Sequence, residues 1–262
     1  MTLVGRTAVV TGVGRGLGRC IALRLATLGT KVALVARKPE QLRETADAIV
    51  RSGGHAAVLP IDLSQSPSPE TIRSSVEAEL GPASVLVNAA GVFGPIGRIR
   101  DTDPAAWIET LMVNVVGPYL TCRAFAAGMV EAGWGRIVNV SSAAALFPPG
   151  PIDSAYATSK AALNHFTRHL ASELAGTGVT ANVIHPGDVK TDMWADIRSS
   201  ANRLGSEGAV YRDWAAWVDA TGGDDPEKAA DLIARIVAEP SDGINGQFLW
   251  IERGLRPPVP SW

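Results

Sequence analysis

The segment Tyr156-Ala157-Thr158-Ser159-Lys160 carries side chains that could move a proton. Tyr156 and Lys160 are four positions apart, so on a helix they share one face, one turn apart. A phenol has a reference pKa of about 10, and a neighbouring ammonium would stabilise the phenolate and lower that pKa. The pair Ser141-Ser142 ends an apolar run before the tyrosine, and a serine hydroxyl there could hold a carbonyl oxygen beside the phenol. These are the parts of an acid/base site that interconverts a ketone and an alcohol.

A glycine-rich turn near the start of the chain predicts a nucleotide site. The turn bears on the tyrosine–lysine pair, because the spacing of that pair also arises by chance on ordinary amphipathic helices and its interpretation depends on the elements around it. Residues 7–11 predict a strand buried on both faces, and Gly12-Val13-Gly14-Arg15-Gly16-Leu17-Gly18 follows directly, before a helix over about 17–28. Glycines between a strand and a helix let the backbone approach a pyrophosphate. The spacing Gly-x-x-x-Gly-x-Gly differs from the common Gly-x-Gly-x-x-Gly.

The residues after the second and third predicted strands bear on the choice of dinucleotide. An acidic residue after the second strand would bind a ribose 2′-hydroxyl, whereas an arginine accommodates a 2′-phosphate. Arg37 and Lys38 stand there, and Arg15 could add a further positive charge, so NADP(H) is favoured over NAD(H). The alternative is that these are ordinary solvated cations. Asp62, after the third strand, is a candidate for hydrogen bonding near the adenine, and a turn or cap role suits it equally well.

Strands and helices alternate along the chain, which predicts a Rossmann-type doubly wound α/β fold of about seven parallel strands with helices on both faces, in one domain over 1–262. Ligands bind such folds at the carboxyl ends of the strands, where almost every candidate residue lies. Asn114 is the exception, in the middle of a long helix predicted over 104–132 that Gly117-Pro118 should bend or loosen. The strands are predicted at 7–11, 31–36, 56–60, 84–88, 136–142, 179–185 and 247–251.

Residues 192–223 lack clear periodicity. We predict an irregular substrate-binding lid over 190–223, because a long irregular segment within a compact domain usually serves function. Aromatic residues in this segment suit an apolar or ring-containing substrate, but they would also serve to pack a lid onto the body of the domain. The aromatic residues are Trp194, Tyr211, Trp214 and Trp217.

Composition excludes several other classes of protein. The chain has 262 residues with 19% charged residues and a formal net charge of -2, and its cations are scattered, so neither a nucleic-acid partner nor a membrane partner is expected. Cys20 and Cys122 lie in apolar helical patterns and are expected to be reduced core residues rather than a disulfide or metal ligands. No metal site is predicted. No cleavable leader is recognised, so a cytoplasmic location is expected.

In combination, the motifs resemble the single-domain short-chain dehydrogenase/reductase family, and in particular ketoreductases of the 3-oxoacyl carrier-protein type. The family's motifs appear in order: Thr-Gly-x-x-x-Gly-x-Gly at 11–18, Asn-Asn-Ala-Gly at 88–91 with alanine in the second position, and Pro-Gly at 186–187. The resemblance covers nearly the whole chain, over about 7–251. Where many members end in Val-Asp-Gly-Gly, this chain has Trp-Ile-Glu-Arg-Gly at 250–254, which puts the usual packing of the tail in question.

The family's active-site quartet falls on Asn114, Ser142, Tyr156 and Lys160, with Ser141 as the alternative serine. By resemblance, Tyr156 donates the proton and Ser142 holds and polarises the carbonyl oxygen. Lys160 would lower the pKa of Tyr156 and bind the nicotinamide ribose, and Asn114 would anchor a water that links Lys160 to solvent. The quartet implies reversible hydride transfer between a nicotinamide cofactor and a ketone or secondary alcohol.

Beyond Tyr156 and Lys160, the predicted cofactor contacts extend along the chain. The partners expected are a small carbonyl or alcohol substrate, NADP(H), and further copies of the chain in a homotetramer or dimer, the last by resemblance alone. An epimerase or dehydratase on the same scaffold, or a cofactor-binding sensor or interaction protein without turnover, are the alternatives. The predicted contacts are Gly12, Arg15, Gly16, Leu17, Gly18, Arg37, Asp62, Leu63, Asn88, Gly91, Pro186, Gly187, Val189 and Thr191.

Overall fold

A seven-stranded parallel sheet forms the centre of the protein, and the predicted α/β architecture is confirmed. The computed structural model describes residues 3–148, 150–240 and 243–256. The strand order is β3-β2-β1-β4-β5-β6-β7, which reverses direction between β1 and β4. The strands are β1 (Thr7–Thr11), β2 (Lys31–Ala36), β3 (His55–Pro60), β4 (Ala83–Asn88), β5 (Gly135–Val140), β6 (Val179–His185) and β7 (Phe248–Trp250).

Helices connect the strands, and proline opens α2, α3, α4 and α9, where its fixed φ suits the first turn and its missing N–H costs no bond. Within the described ranges, no helix has both the length and the apolar character needed to cross a membrane. The helices are α1 (Gly16–Thr27), α2 (Pro39–Arg51), α3 (Pro69–Leu80), α4 (Pro104–Leu111), α5 (Gly117–Glu131), α6 (Ser154–Glu173), α7 (Asp192–Arg203), α8 (Ala209–Thr221) and α9 (Pro226–Ala238).

The core lies in two layers, one on each face of the sheet. Successive side chains of β1 point to opposite faces, so Ala8 and Val10 pack with Leu25 of α1, while Val9 packs with Phe125 of α5. All of these side chains are buried. Coverage of both faces explains why β1 is a continuous apolar run rather than an alternating one.

The long helix predicted over 104–132 is interrupted. A π-helical turn, Met112–Val116, separates α4 from α5, and the N–H of Gly117 bonds to the carbonyl of Met112, five residues back. Pro118 has no N–H to donate to the carbonyl of Asn114, four residues earlier, so the α-helical ladder cannot continue there. The expected loosening at Gly117-Pro118 therefore occurs, and it takes the form of a π turn that contains Asn114.

The prediction that 190–223 is irregular was wrong. The segment forms α7 and α8, joined by a short 3₁₀ turn, Gly205–Gly208. Trp194, Ile197 and Ala201 are buried at helical spacing on α7, as are Ala215 and Val218 on α8. The two glycines of the connecting turn divide the apolar residues into two short stretches, so the helical periodicity is not evident in the sequence.

Candidate active site

The glycine-rich turn brings the ends of three strands close together. Gly12 has φ +74°, a left-handed conformation that favours glycine, and a Cβ there would lie 2.6 Å from Cα of Ala90 after β4. Its N–H donates to the carbonyl of Val35 in β2 at 2.8 Å. Helix α1 begins at Gly16, and its N-cap residue Arg15 makes no side-chain cap hydrogen bond. The first N–H groups of α1 are thus left without a side-chain cap, as a phosphate site requires.

This turn forms one wall of a cleft of about 1040 Å³ along the carboxyl ends of the strands. All of the predicted cofactor contacts line the cleft except Asn88. Of the quartet, Ser142, Tyr156 and Lys160 line it, and Asn114 lies behind them. The size of the cleft, its side-chain-free glycine wall and its helix N-terminus together fit an extended dinucleotide with a substrate beside it.

The Asn88 side chain does not face the cleft, and a cofactor contact at this residue stays a prediction. Its side chain is 2% exposed and lies on the α5 face of the sheet. The Nδ2 group donates to Oδ1 of Asn139 at 2.9 Å, and Oδ1 accepts from the hydroxyl of Thr121 at 2.7 Å. Because a strand's side chains alternate between faces, the amide at this register joins β4 to β5 and α5 instead.

Two cations line the end of the cleft beside β2. Arg37 and Lys38 are both exposed there, directly after β2. Asp62 also lines this end, but its Oδ1 accepts from the backbone N–H of Ser64 at 3.0 Å and from the Ser64 hydroxyl at 2.7 Å. The cap role considered for Asp62 is therefore observed, and the adenine contact stays a prediction.

Arg15 is not a free positive charge. Its Nη1 lies 2.7 Å from Oδ2 of Asp192, the first residue of α7, and both side chains are more than half exposed. An exposed pair of this kind stabilises little, on the order of 0 to 1 kcal/mol. It does connect the glycine turn to α7 across the mouth of the cleft.

Helix α6 presents Tyr156 and Lys160 to the cleft together, as their spacing predicts. Lys160 Nζ lies 5.6 Å from the centroid of the Tyr156 ring and donates to the carbonyl of Val140 at 2.9 Å. Because β5 ends at Val140, two residues earlier than predicted, Ser141 and Ser142 lie in the turn that follows. Ser142 is hydrogen-bonded to Tyr156, whereas the Ser141 hydroxyl lies 3.5 Å from the carbonyl of Lys160. Ser142 is thus the serine in contact with the phenol.

Asn114 is fully buried and holds the quartet to the strand end beside it. Its Oδ1 accepts from the N–H of Val92 at 2.9 Å, and its Nδ2 donates to the carbonyl of Val92 at 2.8 Å and to the Ser159 hydroxyl at 2.9 Å. The Ser159 hydroxyl in turn donates to the carbonyl of Tyr156 at 2.7 Å. The amide therefore connects the π turn, the segment after β4 and the first turn of α6.

Burial dominates the electrostatics of the tyrosine–lysine pair. It raises the pKa of Tyr156 to about 12, with the carboxylates of Asp188 and Asp153 adding to the rise and the Ser142 hydrogen bond opposing it. Burial also lowers the pKa of Lys160 to about 8. The expectation that Lys160 depresses the pKa of Tyr156 is therefore not met in this structure, because the ammonium is itself poorly solvated and donates to Val140. At neutral pH, Tyr156 is a protonated phenol.

The segment after β6 lies opposite the glycine turn. Gly187 has φ +80°, and a Cβ there would lie 2.5 Å from Oδ2 of Asp224, which accepts from the N–H of Asp188 at 2.9 Å. Val189 pairs with Asp224 in an isolated bridge. Thr191, the N-cap of α7, approaches the glycine turn so closely that a Cβ on Gly16 would lie 3.3 Å from its Cγ2.

Aromatic rings line the far end of the cleft, and motif analysis identified only some of them. Phe93 stacks on Tyr156 with 4.4 Å between centroids and 21° between planes, and Tyr211 meets Phe93 edge-on at 5.5 Å. Trp250, in the departure from the family's tail motif, contacts His185 with 4.8 Å between centroids. Phe93 follows the matched Asn-Asn-Ala-Gly motif by two residues, and this position in the sequence could have identified it as a residue of the cleft.

The aromatic residues of α7 and α8 divide between the two roles considered for them. Tyr211 and Trp214 line the cleft. Trp194 also borders it but is 6% exposed, with Lys190 Nζ 4.8 Å and the Arg198 guanidinium 4.9 Å from its ring. Trp217 is 49% exposed and does not line the cleft. Cleft-lining and packing positions therefore fall to different residues.

Carboxylates that no motif marked also line the cleft, among them Asp153, Asp188 and Glu252. Burial raises the pKa of Asp188, and a hydrogen bond from Trp214 opposes that rise.

Elsewhere in the described part of the chain, Cys122 is buried and Cys20 hydrogen-bonds to Glu227 through its thiol at 3.1 Å. The described residues contain no group of three or more side chains arranged to hold a metal ion.

Comparison with known proteins agrees with this geometry. The model of the short chain dehydrogenase family matches residues 6–202. A short chain dehydrogenase of Pseudocercospora fijiensis is 41% identical over 196 residues, which is 74% of this chain and 62% of that protein. The structure of actinorhodin polyketide ketoreductase with NADPH is 31% identical, with a TM-score of 0.85 over 95% of this chain and 97% of that one. NAD⁺-bound xylitol dehydrogenase is 27% identical, with a TM-score of 0.86 over 96% and 99%.

Proposed function

The chain belongs to the short-chain dehydrogenase family and is an oxidoreductase acting on carbonyl and alcohol groups, and from this premise we propose that it interconverts a ketone and a secondary alcohol with NADP(H), using Tyr156 as the acid/base group. One observation carries the proposal. The Tyr156 phenol is buried in the cleft, hydrogen-bonded to Ser142 and one helical turn from a buried lysine. The state of that phenol favours carbonyl reduction, because a pKa of about 12 keeps it protonated at neutral pH.

In the reduction, Ser142 and Tyr156 both donate hydrogen bonds to the carbonyl oxygen and polarise the C=O bond. The bound dinucleotide supplies the hydride for the carbonyl carbon. As negative charge develops on the oxygen, the O–H bond of Tyr156 breaks and its proton completes the alcohol. The products are the secondary alcohol, the oxidised dinucleotide and a Tyr156 phenolate, which must regain a proton before the next turnover.

Lys160 is suited to return that proton. An amine with a pKa of about 8 exchanges protons readily near neutral pH, whereas an ordinary lysine does so far more slowly. Lys160 Nζ and Asn114 Oδ1 approach the same backbone position, since a Cβ on Gly91 would lie 3.6 Å and 3.4 Å from them. We assign Asn114 the anchoring of the relay that connects Lys160 to solvent. The lysine's second task is to bind the nicotinamide ribose.

The choice of NADP(H) depends on the adenosine end. Arg37 and Lys38 offer two exposed cations directly after β2, and no acidic side chain stands at the position that would hold a 2′-hydroxyl. The similarity to solved structures does not decide between NADP(H) and NAD(H), because one of the two structures described above holds NADPH and the other NAD⁺. Arg15 is engaged by Asp192, so the preference is assigned to Arg37.

Removal of one hydroxyl tests the proposal. Purified wild-type protein is assayed for NADPH and NADH oxidation against ketones, aldehydes and 3-oxoacyl thioesters, and Tyr156→Phe is assayed with the best substrate. We expect the loss of Tyr156 to lower turnover by about 10²- to 10⁴-fold and to change the dissociation constant of NADPH by no more than about threefold. Tyr119→Phe is the matched control, because Tyr119 is 42% exposed on α5 and lies outside the cleft.

The outcomes separate the alternatives. Turnover that survives in Tyr156→Phe would remove Tyr156 from the chemistry. A wild-type protein that binds NADPH but oxidises it with no member of the panel would favour the sensor over the enzyme. Normal turnover in Tyr119→Phe is required for either conclusion.

A further inference from the structure

Asp153 is the N-cap residue of α6, yet it does not cap the helix. Aspartate at an N-cap ordinarily accepts a hydrogen bond from a backbone N–H of the first turn. Asp103 does so at α4, accepting from Ala105 and Ala106 at 3.2 Å each, and Asp225 does so at α9, accepting from Glu227 at 3.0 Å. Asp153 has φ -125° and ψ 28° and makes no side-chain cap bond. The Asp153 carboxylate therefore does not satisfy the backbone N–H groups of its own helix.

The carboxylate lies in the wall of the cleft. Asp153 is 5% exposed and lines the cleft three residues before Tyr156. Burial raises the pKa of Tyr211, and the Asp153 charge adds to that rise as it does for Tyr156, so the carboxylate lies near both phenols. The helical rise of about 1.5 Å per residue places it within one turn of the acid/base group.

One oxygen of this carboxylate has no partner. Oδ1 of Asp153 is buried and accepts no hydrogen bond from any of the described residues. A buried, unsatisfied carboxylate oxygen is unfavourable, and a structural role would be better served by the cap bond that Asp153 forgoes. A carboxylate in this state in the wall of the cleft is suited to accept a donor that arrives with the substrate.

We propose that the Asp153 carboxylate rotates to expose Oδ1 to the cleft and there binds a hydroxyl or amine N–H of the substrate, and that the enzyme acts on ketones carrying such a donor next to the carbonyl group. The proposal rests on the function proposed above and specifies its substrate class. Phe93 and Tyr211 supply the apolar surface for the carbon skeleton. The substrate class is thus hydroxy ketones or amino ketones, and the corresponding diols or amino alcohols in the reverse direction.

A pair of ketones of nearly equal size tests this assignment. 2-Hydroxy-2-methylcyclohexanone and 2,2-dimethylcyclohexanone are titrated into protein loaded with NADP⁺, where neither is turned over because the hydroxyl is tertiary, and their kcat/KM values with NADPH are measured separately. We expect the hydroxy ketone to be favoured by about tenfold or more in both measurements, as for a hydrogen bond to a charged group. Asp153→Ala should bring both ratios to about one.

Two further variants keep the test decisive. Asp153→Asn retains the side-chain volume and should lower the ratios about threefold, because a neutral amide oxygen is the weaker acceptor. Asp103→Ala removes a capping aspartate outside the cleft and should leave the ratios unchanged. Ratios near one in the wild type, or a preference that survives in both Asp153 variants, would overturn the inference.

The two measurements keep this inference distinct from the proposed function. Turnover without a hydroxyl preference would leave the oxidoreductase intact and remove the role of Asp153. A binding preference that depends on Asp153, without turnover of either ketone, would support the donor site and count against the proposed reaction.

Discussion

Replacement of Lys160 by methionine should change how the stability of the protein depends on pH. Burial lowers the pKa of Lys160 from 10.5 to about 8, so the folded protein releases this proton more readily than the unfolded chain does. Below pH 8 both states hold the proton. Between pH 8 and 10.5 only the unfolded state holds it, so the free energy of unfolding rises with pH across this window. The full shift corresponds to roughly 3 kcal/mol, of which about 2 kcal/mol is reached by about pH 9.5.

The assay is chemical denaturation of the cofactor-free protein at about pH 7 and about pH 9.5. We expect the wild type to gain about 2 kcal/mol relative to Lys160→Met between the two conditions. Lys228→Met is the control, because the Lys228 side chain is 61% exposed, and it should differ from the wild type equally at both pH values. A Lys160→Met difference that does not change with pH would refute the conclusion that the folded protein buries an ammonium.

Two further predictions concern separate parts of the structure. Arg37→Ala should raise the KM for NADPH by about tenfold while changing that for NADH by no more than about twofold, and steady-state kinetics with an unchanged NADPH KM would contradict the 2′-phosphate contact. Asp103→Ala should lower the free energy of unfolding by about 1 kcal/mol through loss of its cap bonds, whereas Asp153→Ala should cause no such loss. Equal losses of the two variants in chemical denaturation would mean that Asp153 stabilises α6 as a cap.

The sheet and the glycine turn were predictable because local patterns specify them. Buried parallel strands are short β-branched runs, and a strand followed by closely spaced glycines and a helix has few other structural solutions. The boundaries moved by only a residue or two, as at β5, which ends at Val140. The paired helices α7 and α8 were missed because each presents only a few apolar side chains, and those that face the cleft do not follow the core pattern.

Side-chain direction was harder to predict than position. Asn88 belongs to a matched motif, but the pleat at the end of β4 turns its amide toward Asn139 and Thr121. Arg15 lies where expected, but its partner Asp192 is distant in the chain and carried no motif. Such pairings depend on tertiary contacts that spacing alone does not encode.

The charge states of Tyr156 and Lys160 likewise depend on burial, which spacing alone does not encode. Sequence places Lys160 beside Tyr156, and in water the ammonium would lower the phenol's pKa. In the folded protein both groups are buried, and the loss of solvation raises the phenol's pKa and lowers the lysine's. The two shifts suit one another chemically. A phenol that stays protonated can serve as the acid, and an amine that titrates near neutrality can restore its proton, so burial divides between two residues a task that neither performs well in water.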